Sequence, residues 1–504
     1  MISLITPSDM RDMERRYFRD TGMPSIDLME RAARALCEGI LRRWGPSAKV
    51  YFACGPGGNG GDGYACARMI REQGGTAVVF PAAAPSSPDC AENARRAQLA
   101  GVREGQLDTC PDAPDIWVDA LYGTGLSRAP EGEAARLIER MNADRARGSA
   151  VAAADIPSGL NGLTGAAFRP CVRADVTFTF QYAKPGCFLA DGLDLAGEVE
   201  ALDIGIPADY LPGGQPWLVD DGDVRRALPV RRRNFHKGDA GRLLIVAGSF
   251  GMAGAAAMAA SAAVHAGAGL VTVACPASVV PILQTLVPCA MCAPLPERDG
   301  ALSDDAADAL AALLPGKSAV ACGCGLSTRA SARVVKAVMD AGLPALFDAD
   351  ALNLIAREED LRASLRPHHL LTPHPGEAAR LLDRSVDAPI ADALALRALN
   401  CQPLLKGAAT VIPVGDRPAI STSGGCGMAQ GGSGDCLTGV IGALMAQRAA
   451  SDPGLSGDEL ASLAAAGCRV HGLAGELAQC RRGIRGMTPM DLIDALPEVL
   501  MRYE

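Results

Sequence analysis

Hydrophobic and polar positions follow two rhythms along this chain. Residues 8–43 set charged and apolar positions at helical spacing, with Leu28, Met29, Ala32, Ala33, Leu36 and Ile40 on one face. Pro24 and Ser25 suit the start of that second helix. Short apolar runs then recur at 48–53, 76–80, 116–118, 150–154 and 176–180, each reading as a buried strand. Helical patterns at 64–72, 89–100 and 133–142 separate them. Strands alternating with helices predict a parallel sheet covered on both faces.

The rhythm breaks between 207 and 233, where Pro212, Gly213, Gly214, Pro216 and Pro229 precede Arg231, Arg232 and Arg233. The expected division is a first domain over 1–212, a linker over 213–230 and a second domain over 231–504. His236 and Lys237 read as solvated residues near that boundary. The second half restarts with strand 243–247, loop 248–254 and helix 255–266. Further strands are expected at 269–274, 318–321, 345–348, 370–372, 403–406 and 410–414. It is another α/β unit and not a copy of the first.

Composition narrows the function. The 504 residues are 49% hydrophobic and 21% charged, enough to bury large cores. A net charge of −9 with no basic stripe argues against a nucleic-acid partner, and 4% aromatics leave little for base stacking. The seventeen cysteines are scattered among apolar residues, which points to reduced, buried thiols. No Asp, Glu, Lys or Arg occurs from Leu243 to Pro296, yet that run is rich in Ala and Gly and broken by prolines. It reads as buried strand, small-residue helix and second strand rather than a membrane span. With no targeting segment visible, a cytoplasmic protein is expected.

Three stretches carry candidate chemistry. GGCGMAQGGSGDCLTG at 424–439 is a glycine-rich loop feeding a helix. Unpaired N–H groups at such a helix start, backed by the helix dipole, hold an anion. Asp435 in the first turn then suits a base that takes a substrate hydroxyl proton. In the first half, the glycine-rich run 55–63 offers the Asn59 carbonyl and the Asp62 carboxylate at a helix start. Asp119 and Asp155 close two other strand runs, and Ser158 follows. Several hard oxygens with little local positive charge suit a monovalent cation or a polar ligand. The three first-half turns, at 55–63, after Asp119 and after Asp155, fall at the carboxyl ends of strands, where open α/β sheets bind ligands. Turn and helix-capping chemistry is the bland alternative for each.

GPGGNGGDG at 55–63, VDALYGTGL at 118–126, DIPSGL at 155–160 and LMERAARAL at 28–36 resemble the NAD(P)H-hydrate epimerase family. GMAGAA at 251–256, TPHPGEAARLL at 372–382, LKGAAT at 405–410 and GGSGDCLTG at 431–439 resemble the NAD(P)H-hydrate dehydratase family, whose fold is ribokinase-like. Their order on one chain is similar to that of the fused bacterial repair enzymes. One departure is Gly58, where the epimerase family usually carries a second asparagine.

The resemblance implies a Rossmann-like three-layer sandwich followed by a ribokinase-like α/β domain. It implies potassium held by Asn59, Asp119 and Ser158. It implies substrate contacts from Gly58, Asn59, Gly60, Gly61 and Asp62, from Gly123, Thr124, Gly125 and Leu126, and from Asp155. In the second half it assigns substrate to Ala253, Gly325, His374 and Asp435. ADP, with magnesium, would lie on Lys406, Gly407, Ala408, Ala409 and Thr410 and on Gly432, Ser433 and Gly434.

The implied reaction is repair of hydrated NADH and NADPH, NADHX and NADPHX. The first domain would interconvert the R and S hydrates, with Asp119 or Asp155 as acid/base. The second would phosphorylate the S hydrate's ring hydroxyl and eliminate phosphate, with Asp435 as base. Two rivals stand beside it: a ribokinase-like kinase for a vitamin or sugar alcohol, and a first half that only binds or regulates. ADP against ATP and NADHX against NADPHX stay open at this point, and a homo-oligomer is expected.

Overall fold

The computed structural model describes residues 2–109 and 112–504. It divides into two compact units, Ser3–Pro216 and Trp217–Glu504, with Ile2 grouped with the second.

In the first unit, seven strands form one wholly parallel sheet. Their order is Arg103–Glu104, Thr76–Pro81, Lys49–Cys54, Ile116–Ala120, Ala150–Ala154, Val176–Phe180, Glu198–Leu202. The strand period of two sorts side chains into two cores. Val50 and Phe52 face one side with Leu28, Leu36 and Ile40 from helix Ser25–Trp44. Tyr51 and Trp117 face the other with Leu137, Ile138 and Met141 from helix Gly132–Arg145. These are the three layers of a Rossmann-like sandwich. The strand order reverses at Lys49–Cys54, so a crevice opens beyond its carboxyl end, beside Ile116–Ala120.

The second unit is another α/β domain and repeats the logic in the same strand order. Its parallel sheet runs Met291–Leu295, Leu270–Pro276, Arg242–Val246, Ala319–Cys322, Ala345–Phe347, His369–Leu371, Gln402–Pro403. The reversal here lies at Arg242–Val246. Helices Ala253–His265 and Ser433–Ser451 approach closely, because a Cβ at Gly439 would lie 2.2 Å from the Ala259 carbonyl oxygen. The charge-free run from 243 to 296 begins with strand, Ala-rich helix and strand, as its pattern predicts, and continues through helix Val280–Leu286 to strand Met291–Leu295, which the pattern did not reveal. Among the described residues, no helix is long and apolar enough to cross a membrane. The described cysteines are all free, most of them buried.

Three expectations need correction. The 213–230 stretch, read as a linker, contains strand Trp217–Leu218 and helix Asp221–Ala227, which starts with a capping box. That strand pairs with Arg417–Ser421, a partner far along the chain that punctuation by Pro and Gly does not reveal. The expected strand Thr410–Val414 is present and pairs antiparallel with Arg417–Ser421, outside the main sheet. Of 403–406, only Pro403 is strand. Finally, the glycine-rich run 58–63 is helix: Gly58–Glu72 begins at Gly58, so Asp62 sits a full turn inside.

That last result has a steric cause. A Cβ at Gly60 would lie 1.8 Å from the Gly55 carbonyl oxygen, and one at Gly63 2.7 Å from the Ala120 Cβ. The glycines let this helix press against the strand ends, which outweighs their poor helix propensity.

Candidate functional site

Each unit carries its candidate site at the carboxyl ends of its strands. In the first unit a cavity of about 570 Å³ opens there, within the range of ligand pockets. Gly58, Asn59 and Asp62 line it from the helix Gly58–Glu72, and Gly123, Thr124, Gly125 and Leu126 line it from the loop after Ile116–Ala120. Gly60 and Gly61 do not line it. They are buried packing positions, where a Cβ would meet the Gly55 carbonyl or the Met29 sulfur. The helix start has no side-chain cap, which leaves its N–H groups free for an anion.

Asp155 reaches the cavity from the turn after Ala150–Ala154, at φ +70°. A non-glycine residue held there stores strain, which clusters at functional positions. Its Oδ1 is ion-paired with the fully buried Lys184, whose Nζ also donates to Thr179 Oγ1 (3.2 Å) and the Phe180 carbonyl (3.3 Å). Glu14, from helix Pro7–Thr21, lines the same cavity. Burial and the negative charge of Asp155 push its carboxyl up to about 7, against Lys184 and Arg11. Burial, then Asp155 and Glu14, raise Asp62 well above the usual carboxylate range.

Asp119 and Ser158 lie beneath this wall, fully buried. Ser158 donates to Asp119 from its hydroxyl (2.6 Å) and its backbone N–H (2.7 Å), and the Leu121 N–H donates at 3.2 Å. Burial pushes Asp119 up to about 6, against these hydrogen bonds. Of the two acid/base candidates, only Asp155 faces the cavity. A Cβ at Gly123 would lie 3.6 Å from both Asn59 Oδ1 and Asp155 Oδ2, so glycine keeps this approach open.

In the second unit, Gly432 at φ +105° turns the chain into helix Ser433–Ser451, whose start has no side-chain cap. The buried His471 steadies that start, its Nε2 donating to the Ser433 carbonyl at 2.9 Å. Burial pushes Asp435 up to about 6, against a hydrogen bond from Cys324. Lys406 Nζ lies 2.6 Å from Asp348 Oδ1 and 4.0 Å from Glu377 Oε2, and Thr438 donates to Asp348 Oδ2 at 2.9 Å. Burial works against the Lys406 ammonium, but these two carboxylates raise its pKa overall. A Cβ at Gly434 would sit 3.6 Å from Lys406 Nζ and 3.7 Å from Asp348 Oδ2. Base, cation and helix start therefore converge.

Ala253 opens the helix Ala253–His265, and Gly325 packs against Met252 and Ala255 of the same turn. Ser249 Oγ ties the two loops together by donating to the Gly325 carbonyl at 2.9 Å. His374 caps helix Pro375–Leu382: its Nδ1 accepts from Gly376 (3.0 Å) and Glu377 (3.3 Å), and its Nε2 lies 3.5 Å from Glu377 Oε1. Gly407 and Ala408 are exposed and Ala409 half-buried, whereas the Thr410 hydroxyl meets the Cys468 thiol in the interior.

Sequence reading missed Glu14, Lys184, Asp348, Glu377 and His471. Asp348 was within reach, since it closes a strand run as Asp119 and Asp155 do. Lys184 and His471 gave no local signal, because their meaning comes from residues that only the fold brings near.

Both halves of the chain are similar to known proteins. Residues 243–498 match the model described as NAD(P)H-hydrate dehydratase, and residues 25–186 match the YjeF-related protein N-terminus. The Bifunctional NAD(P)H-hydrate repair enzyme Nnr of Moorella thermoacetica is 38% identical, covering 99% of this chain and 97% of that one. The enzyme of the same name from Escherichia coli is 35% identical, covering 98% and 93%. A solved ADP/ATP-dependent NAD(P)H-hydrate dehydratase from Bacillus subtilis, co-crystallised with ATP/Mg2+, is 30% identical, with a TM-score of 0.45, covering 56% of this chain and 96% of that one. With both halves matched at this identity over nearly its whole length, the chain belongs to the family of bifunctional NAD(P)H-hydrate repair enzymes.

Proposed function

We propose a division of labour between two sites on one bifunctional enzyme, an epimerase and a dehydratase. The first unit interconverts the R and S hydrates of NADH and NADPH, and the second dehydrates the S form at the expense of ADP. The observation that carries this is the convergence of Asp435, Lys406 and an uncapped helix start in the half that matches the dehydratase.

The chemistry follows from the substrate. Its C6 hydroxyl lies beside the ring nitrogen, whose lone pair can expel it. In the first site the uncapped start of Gly58–Glu72 receives the dinucleotide phosphates. Asp155 takes part in the proton exchange at C6. In the second site hydroxide is a poor leaving group, so the hydroxyl is first phosphorylated. Asp435 takes the hydroxyl proton, the N–H groups of Gly432 to Gly434 stabilise the transferring phosphoryl charge, and Lys406 faces the nucleotide phosphates. Loss of phosphate restores the reduced ring.

Two ions belong to this reading. Asp119, Ser158 and the Asn59 carbonyl oxygen supply one carboxylate and neutral oxygens, a donor set suited to potassium, which would fix the loops around the cavity. Magnesium would neutralise nucleotide phosphates, with Asp348 and Glu377 as the carboxylates at hand. Potassium should raise the Tm of the full-length protein relative to tetramethylammonium, and Asp119→Asn should remove that increment. An equal Tm in both salts would sink the assignment.

Incubation with S hydrate and ADP, followed through the reduced-nicotinamide absorbance, tests the second step. Recovery is expected only with nucleotide, whereas a vitamin or sugar kinase would give none. Homo-oligomeric assembly and a cytoplasmic location extend the same reading and are checked by light scattering and cell fractionation.

A further inference from the structure

The epimerase cavity holds more acid than one base requires. Glu14, Asp62 and Asp155 all line it, from three different elements. Asp155 has a dedicated counter-charge in Lys184, whereas Glu14 has no ion pair among the described residues. Glu14 also lies ahead of residues 25–186, the span matched to the first-half family model.

Inverting C6 needs two proton movements. The departing hydroxyl must gain a proton, because hydroxide is a poor leaving group. The water that adds to the opposite face must lose one. A single carboxylate fixed by a buried lysine serves the second task better than the first.

We propose, resting on the epimerase reading above, that Glu14 is the acid that protonates the departing hydroxyl and that Asp155 is the base for the returning water. The C6–O bond breaks with its electron pair going to oxygen, and the Glu14 proton completes a water molecule. The ring-nitrogen lone pair closes a C=N double bond. Water then adds to the other face of C6 and gives a proton to the Asp155 carboxylate. That proton returns to Glu14 through the cavity, so atoms and charge balance over the cycle. In the opposite direction the roles exchange: protonated Asp155 gives its proton to the departing hydroxyl of the other epimer and the Glu14 carboxylate takes one from the incoming water.

The electrostatic setting supports the assignment. Asp155 faces Glu14 with negative charge and Lys184 and Arg11 oppose it, while burial, Asp155 and Glu14 hold the neighbouring Asp62 well above the usual carboxylate range. The net effect pushes the Glu14 carboxyl up to about 7, so the acid still carries its proton near neutrality. Its pKa lies close to the working pH, where proton transfer is most effective.

The test is epimerisation of purified S hydrate by full-length protein without nucleotide, read by chiral chromatography across pH. Wild type should lose rate as pH rises through about 7, because Glu14 deprotonates. Glu14→Gln should lower kcat by about 10²-fold or more with KM changed little, and should lose that alkaline limb. Glu14→Asp, which keeps an acid with shorter reach, should restore part of the rate and a limb at shifted pH. An unchanged alkaline limb in both variants, or a loss confined to KM, overturns the proposal. Absence of epimerisation by wild type would instead bring down the epimerase reading itself.

Discussion

On the proposed reading dehydration turns on Asp435, whose surroundings set a pH signature. Burial raises its carboxyl to about 6, so the group is protonated below that pH and a working base above it. Dehydration should therefore rise as pH increases through about 6 and level off above 7, a profile that stopped-flow rates under saturating ADP can check. Asp435→Asn keeps the shape but cannot accept a proton. The expected loss is about 10²–10⁴-fold in kcat, with ADP affinity by calorimetry retained. Asp435 was legible in the sequence, because a glycine-rich loop, a helix and an acid in its first turn form a local pattern. Lys184 was not legible. A lysine before a proline looks like a surface residue until the fold encloses it against Asp155. Lys184→Met should destabilise the protein by about 3–5 kcal/mol, because it leaves the Asp155 charge buried without its partner. Chemical denaturation measures this, and a change under about 1 kcal/mol would mean the pair carries little.

Among the elements, helix Gly58–Glu72 separates what pattern can and cannot say. Its first six residues include four glycines, which on propensity alone predict a loop. They form helix because the backbone must approach Gly55 and Ala120 more closely than any side chain allows. Two substitutions in one turn then have opposite signs. Gly58→Ala meets nothing within 4 Å and should stabilise by about 0.5–1 kcal/mol through helix propensity. Gly60→Ala puts a methyl on the Gly55 carbonyl and should destabilise despite the same propensity gain. Thermal melts of the pair decide between the steric account and simple propensity, which predicts stabilisation in both. The strands were easier to read than this helix. Residues 150–154 and 176–180 match the observed strands residue for residue, because buried parallel strands are short apolar runs bounded by turns. Two-residue strands such as Arg103–Glu104 and Trp217–Leu218 escaped, since two residues carry no period.

At the scale of the whole molecule, two α/β units handle the same dinucleotide on one chain. The alternation of strands and helices, and the break near 212–230, made two units visible in the sequence. The division itself falls at Pro216 and Trp217, because pairing with Arg417–Ser421 draws Trp217–Leu218 into the second unit. The benefit of the fusion is one of mass action. Dehydration drains only the S hydrate, and epimerisation refills it from the R form, so the pair can clear a mixture that neither clears alone.

The central claim is tested most directly by the end point of repair on mixed R and S hydrates of NADH, with full-length protein, ADP and magnesium. Reduced-nicotinamide absorbance should return to nearly its full value, only when nucleotide is present, while Asp155→Asn should stall near the share that began as S. Recovery without nucleotide, or a wild-type reaction that stops at the S share, would contradict the account.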